Sequence, residues 1–119
     1  MTDPIDMAVV DELIELSDGG DPDLLVDLIE MYLQDGPHKL AEIDAGLAKQ
    51  DWGRVERAAH SLKGAAGNLG AMMVFGDCDT VEEASKAHEL ETVQRSATEL
   101  REHFAEAEVA LKDLLAKYS

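Results

Sequence analysis

The chain has 119 residues, with 26 aspartates and glutamates against 10 lysines and arginines, and a formal charge of −16 at pH 7. That length suits one hydrophobic core and leaves no room for an ATP-binding catalytic domain beside it. The charge argues against a nucleic-acid backbone or an anionic membrane as partner.

A single cysteine, Cys78, excludes a disulfide framework and a zinc-ligand pattern. The sequence has no apolar run of membrane-spanning length, and its start lacks a basic segment followed by an apolar one. One cytoplasmic domain over residues 1–119, in a reducing compartment, is therefore expected.

Asp3 and Pro4 read as an N-cap and first-turn proline, with Ile5, Val9, Leu13 and Leu16 at helical spacing behind them. Ser17-Asp18-Gly19-Gly20 ends that helix. Asp21 is the expected cap of a second, with Pro22 at its first position and Leu24, Leu25, Leu28, Ile29 and Tyr32 on its apolar face. The run from Asp18 to Asp23 resembles a calcium loop, but Ile29 stands where the closing glutamate would be, so a turn and a cap are the better reading. Gly36-Pro37 predicts a break before a third helix, in which Leu40, Ile43 and Leu47 face inward.

Asp51 caps the next helix with Trp52 just inside it, and Gly70 is its expected stop. Met72, Met73, Phe75, Cys78 and Val81 line the following helix, which closes near His88. In the last, Val93, Ala97, Leu100, Phe104, Ala107, Leu111 and Leu114 alternate steps of four and three, the stripe of a bundle seam. The sequence contains neither strand alternation nor a hairpin signal. The expected fold is all-α: an antiparallel up-and-down four-helix bundle with additional short N-terminal helices, frayed in its first and last few residues.

The helix opened by Asp51 carries the most informative residues. Val55, Ala58 or Ala59, Leu62, Ala65 or Ala66 and Leu69 make one apolar stripe, and His60 lies roughly 160° around the helix from Leu62. Lys63, Gly64 and Gly67 follow at i+3, i+4 and i+7 on the same outward face. Each glycine inside a helix costs about 1 kcal/mol relative to alanine, so their place beside His60 asks for a reason. Clearance for an approaching partner supplies one. A neutral imidazole offers a nitrogen lone pair, and a lysine one turn away can hold an anion attached to the ring. From Asp51 to Gly70 the local charge is +1, leaving −17 elsewhere, and Arg54, Arg57, His60 and Lys63 form a strip suited to docking an acidic, phosphate-bearing partner.

His60-Ser61-Leu62-Lys63-Gly64 followed by Ala65-Ala66-Gly67-Asn68-Leu69-Gly70-Ala71 resembles the signature of histidine-containing phosphotransfer (HPt) domains of bacterial phosphorelays. Cys78 and Glu82 resemble a recurrent cysteine and polar residue on the following helix, and the resemblance runs from about Ile5 to Leu115. It implies that His60 is phosphorylated, that Lys63 stabilises the phosphate and that Gly64 gives clearance. Where some members have a glutamine to hydrogen-bond the imidazole, this chain has Glu82, and a carboxylate would hold the ring more tightly.

The implied function is a covalent carrier, not an enzyme in its own right. It would take a phosphoryl group from a receiver-domain aspartyl phosphate, or from a sensor or hybrid histidine kinase, and pass it to a response-regulator receiver. The chain would need no cofactor or metal of its own, since the partner receiver supplies magnesium, and it is expected to act as a monomer. The alternative is a helical adaptor that binds receivers or another partner through the same face without being phosphorylated. Retention of both His60 and Lys63 disfavours that reading.

Other candidates are weaker. Gly64, Gly67 and Gly70 follow no strand and lack the spacing of a nucleotide-binding loop. His38, His88 and His103 read as isolated surface histidines, and a metal site joining His60 to His88 or His103 lacks an i, i+4 pair. The remaining carboxylates, Glu83 among them, read as solvated faces.

Overall fold

The computed structural model describes residues 3–119; the fraying expected at Met1 and Thr2 lies outside the described residues. Helix α1 spans Met7–Leu16 and is capped by Asp6, whose carboxylate accepts the amide N–H of Ala8 at 3.0 Å. Asp3 and Pro4 thus precede the helix instead of opening it. The later start rotates the expected face: Ile5 is buried ahead of the helix, Val10 is buried within it, and Leu16 is 79% exposed.

A 3-10 turn over Asp18–Gly20, with Gly19 and Gly20 at positive φ, leads into α2, Asp23–Ala48. Asp21 accepts the amide N–H of Asp23 at 2.9 Å, so Pro22 stands at the N-cap, one position before the helix.

The break expected at Gly36-Pro37 does not occur: α2 runs through both residues for 26 residues. A proline in a helix interior costs about 3 kcal/mol, so tertiary contacts must outweigh it. They are visible in the inward face, where Tyr32, Gly36, Ile43 and Gly46 are all buried at helical spacing across the proline. Gly36 is a contact point, since a Cβ there would collide with the Phe104 ring, which stacks on Tyr32 with centroids 5.1 Å apart. One continuous helix therefore replaces the second and third expected ones.

Helix α3 spans Trp52–Asn68, α4 Met72–Lys86 and α5 Leu90–Tyr118. The three turns joining α2 to α5 share one device, the Schellman motif. After α3, Ala71 N–H donates to Ala66 and Gly70 N–H to Gly67, with Gly70 at φ +77°. After α2 and α4 the same bond pairs form with Gln50 (φ 51°) and His88 (φ 56°) in the left-handed position.

The four long helices close into a bundle in which α2 and α4 each pack on α3 and α5. Helix α5, at about 1.5 Å per residue, accounts for most of the 47 Å long axis. Its stripe from Val93 to Leu114 is buried as spaced. Helix α1 covers one end, tied by a 2.8 Å bond from the Asp6 N–H to the Gly70 carbonyl. On α4 the core positions are Val74, Cys78, Val81, Glu82, Ala84 and Ser85, while Met72 is exposed, so Met72 does not line the core as expected. His103 is half-buried, with Nδ1 2.5 Å from an Asp77 oxygen, and is not the isolated surface residue its phase suggested. Among the described residues, no helix is long and apolar enough to cross a membrane.

Candidate functional site

The packing of α4 against α3 builds the site. Asp51 caps α3 by accepting the Arg54 amide at 3.2 Å, and Val55, Ala58, Ala59, Leu62 and Ala66 bury the opposite stripe. This fixes the helix rotation and leaves the His60 side chain 69% exposed. Alanines on the buried stripe let the helices approach closely, which brings Glu82 of α4 under the imidazole.

Glu82 is 8% exposed and uses both oxygens: Oε2 lies 2.9 Å from His60 Nδ1, and Oε1 accepts from Lys63 Nζ at 2.6 Å. Burial alone pushes the Glu82 carboxyl up, but the bonds from Lys63 and His60 outweigh it and hold the group below its ordinary range. The carboxylate is therefore ionised at neutral pH and can only accept. That assigns the proton of a neutral His60 to Nδ1 and leaves the lone pair on Nε2. The ring is thus held in one orientation by a group that also fixes which nitrogen is nucleophilic.

Lys63 makes a second, longer contact of 3.3 Å with Asp79, one turn before Glu82 on α4, and its hydrogen bond to Glu82 is the main reason its ammonium pKa lies above the ordinary lysine value. Lys86 lies 4.0 Å from Glu82 and 3.2 Å from Glu83. The carboxylates of Asp79, Glu82 and Glu83 lie within 4.8 Å of one another, but Lys63 and Lys86 sit on them. Ammonium groups thus occupy the place a cation would take. Neither Asp79 nor Lys86 figured in the sequence reading, although both stand at i±3 or i±4 from Glu82, a spacing that puts them on its face.

The two glycines part company. A Cβ on Gly64 would meet nothing within 4 Å, whereas on Gly67 it would come 3.2 Å from the Phe75 ring. Gly67 is explained by the packing of α4, not by clearance for a partner. The strip of arginines divides as well: Arg54 makes two hydrogen bonds to Glu42 of α2, at 2.7 and 3.1 Å, and braces the α2–α3 contact. Arg57 is exposed and shares a shallow concavity with Glu56, His60 and Glu82. Beside them a groove of about 240 Å³ between α2 and α3 is lined by Leu28, Met31, Tyr32, Leu62 and Ala65, with Ser61 linking it to His60.

An exposed ring nitrogen with a fixed lone pair, an adjacent ammonium and open ground one turn away can accept a group by in-line attack and stabilise its charge. Residues 27–117 match the family model described as Hpt domain. The chain is 28% identical over 92 residues to histidine-containing phosphotransfer protein 4 of Arabidopsis thaliana, covering 76% of this chain and 72% of that one. Two solved structures share the fold. Histidine-containing phosphotransfer protein B from Pseudomonas aeruginosa PAO1 superimposes with a TM-score of 0.89 at 24% identity over the whole of both chains. A histidine-containing phosphotransfer protein from maize superimposes at 0.83 and 19% identity, over 97% of this chain and 84% of that one.

Proposed function

The chain belongs to the Hpt domain family and serves histidine phosphotransfer in phosphorelays, and on that premise we propose that His60 is the residue that carries the phosphoryl group. The carrying observation is the 2.9 Å contact of Nδ1 with the buried Glu82 carboxylate, which in the neutral imidazole places the proton on Nδ1 and the lone pair on Nε2 of a largely exposed ring. Hpt proteins work with histidine kinases and response regulators and are carriers, not kinases. In this reading Nε2 attacks the phosphorus of a receiver aspartyl phosphate, the phosphorus–oxygen bond breaks as the phosphorus–nitrogen bond forms, and the aspartate leaves as carboxylate. Transfer onward is the reverse at a second receiver.

The transition state is loose and in line, so catalysis is positioning and charge neutralisation. Lys63 supplies one charge. The receiver supplies magnesium, and this chain supplies no cofactor and no catalytic turnover of its own. Gly64 gives the receiver room at the ring, and the α2–α3 groove with exposed Met31 receives its apolar surface, while Arg57 meets its acidic rim. The chain acts in the cytoplasm as a monomer. The test is transfer of radiolabel from a phosphorylated receiver domain, with the label expected on His60 as acid-labile, alkali-stable phosphate. Tight receiver binding without transfer would support the adaptor reading instead.

A further inference from the structure

Lys63 has three N–H donors, and two are already engaged, by Glu82 at 2.6 Å and by Asp79 at 3.3 Å. The two acceptors differ. Glu82 is buried and cannot move without releasing the His60 ring, because its other oxygen holds Nδ1. Asp79 is 54% exposed, its contact is longer, and among the described residues no other hydrogen bond holds its side chain. With a neutral imidazole, Lys63, Glu82 and Asp79 together carry a charge of −1, an unfavourable setting for an incoming phosphoryl dianion. The third N–H is open to a phosphoryl oxygen, and drawing the ammonium toward that oxygen loosens the longer, exposed contact to Asp79 before the shorter, buried one to Glu82.

We propose that Asp79 is a positioning residue for the transfer, an exchange partner that holds Lys63 on the α4 side of the site until the phosphoryl group on His60 displaces it. The proposal rests on the carrier reading. It makes Asp79 a competitor of the phosphoryl group: removing its charge leaves Lys63 more available, so the phosphorylated form is favoured. An exposed ion pair of this kind shifts an equilibrium by about two- to fivefold.

The experiment needs no protein partner. Phosphoramidate phosphorylates an imidazole directly, its phosphorus–nitrogen bond breaking as the bond to Nε2 forms and ammonia leaving. The phosphorus-31 signal of the phosphohistidine is then titrated with pH in the parent, Asp79→Asn, Asp79→Glu, Lys63→Ala and the Asp79→Asn/Lys63→Ala double variant. A closer ammonium favours the more highly charged phosphoryl group, so Asp79→Asn should lower the midpoint by about 0.3 to 0.7 pH units, the same two- to fivefold. Asp79→Glu should restore the parent midpoint. The Asp79→Asn shift should vanish in the Lys63→Ala background, because the competition needs both residues. An unchanged or raised midpoint in Asp79→Asn, or an equal shift without Lys63, overturns the proposal. A parent that takes no phosphate on His60 overturns the carrier reading itself, a distinct result.

Discussion

Glu82 Oε2 lies 2.9 Å from His60 Nδ1, joining one of the most buried carboxylates of the chain to an imidazole that is mostly in solvent. The pair sets the tautomer, the orientation and the exposed nitrogen together.

Replacing Glu82 separates those roles. Glu82→Gln keeps an oxygen for Nδ1–H but loses the charge that draws in Lys63, and Glu82→Ala loses both. Transfer rates measured from a phospho-receiver should fall in the order parent, Gln, Ala. Because the Glu82 carboxyl is held below its ordinary range, its stabilising contribution is present above the unfolded value of about 4.3 and is lost as pH falls through the folded one. Urea denaturation of parent and Glu82→Gln should therefore converge toward acid. A gap that widened below about pH 4 would contradict the sign.

Lys63→Ala should fold but be less stable than the parent, since Glu82 loses a charge-assisted bond while His60 remains on its other oxygen. Transfer should slow by about ten- to a hundredfold without vanishing. Stopped-flow or quench-flow transfer kinetics decide this, and an unchanged rate would remove Lys63 from the mechanism.

Gly64 and Gly67 should respond oppositely. Alanine at Gly64 enters open space and should raise stability by up to about 1 kcal/mol. Alanine at Gly67 gains the same propensity but presses on Phe75, so it should come out about 1 kcal/mol less stable than the Gly64 variant. Glutamine at Gly64 should keep the fold and lower transfer, by obstructing the receiver. Thermal unfolding beside transfer rates distinguishes these; equal stabilities for the two alanine variants would contradict the packing role of Gly67.

The residues around His60 were legible because helical spacing alone puts Lys63 and Gly64 on its face. Glu82 could be named from its resemblance, but not Asp79 or Lys86, whose arrival depends on how α4 crosses α3. Arg54 reads as a docking cation until α2 brings Glu42 against it. The fold shows the same division. The seam from Val93 to Leu114 is periodic enough to read directly, whereas Gly36-Pro37 reads as a break because the reason for continuity, the Phe104 ring, lies far along the chain. Local punctuation was overruled by packing.

The His103–Asp77 pair ties α5 to α4 and carries a pH signature. The hydrogen bond to Asp77 raises the His103 pKa above its ordinary value, so its stabilisation is complete below about pH 6.5 and is lost as pH rises through the folded value. Asp77 is itself pushed up by burial, which outweighs its bond to His103, so it too favours the more acidic condition. Glu99 and Glu106 act in the same direction on His103. Unfolding free energies of parent minus His103→Gln should decrease from pH 6 toward pH 8 and beyond, where the histidine is fully neutral. A difference that grew with pH would refute the pairing.

The carrier function turns on His60 Nε2 as the acceptor. The most direct measurement is phosphosite mapping by tandem mass spectrometry under alkaline conditions after incubation with a phosphorylated receiver, on the parent and on His60→Gln. His60→Gln loses the Nδ1 contact to the buried Glu82, but Lys63 stays on the other carboxylate oxygen and the α3 core stripe is untouched, so the variant should keep its helicity and fold with only a modest loss of stability. Phosphate is expected on His60 in the parent and none in the variant. Phosphate on His38, His88 or His103, or undiminished labelling of His60→Gln, would contradict it.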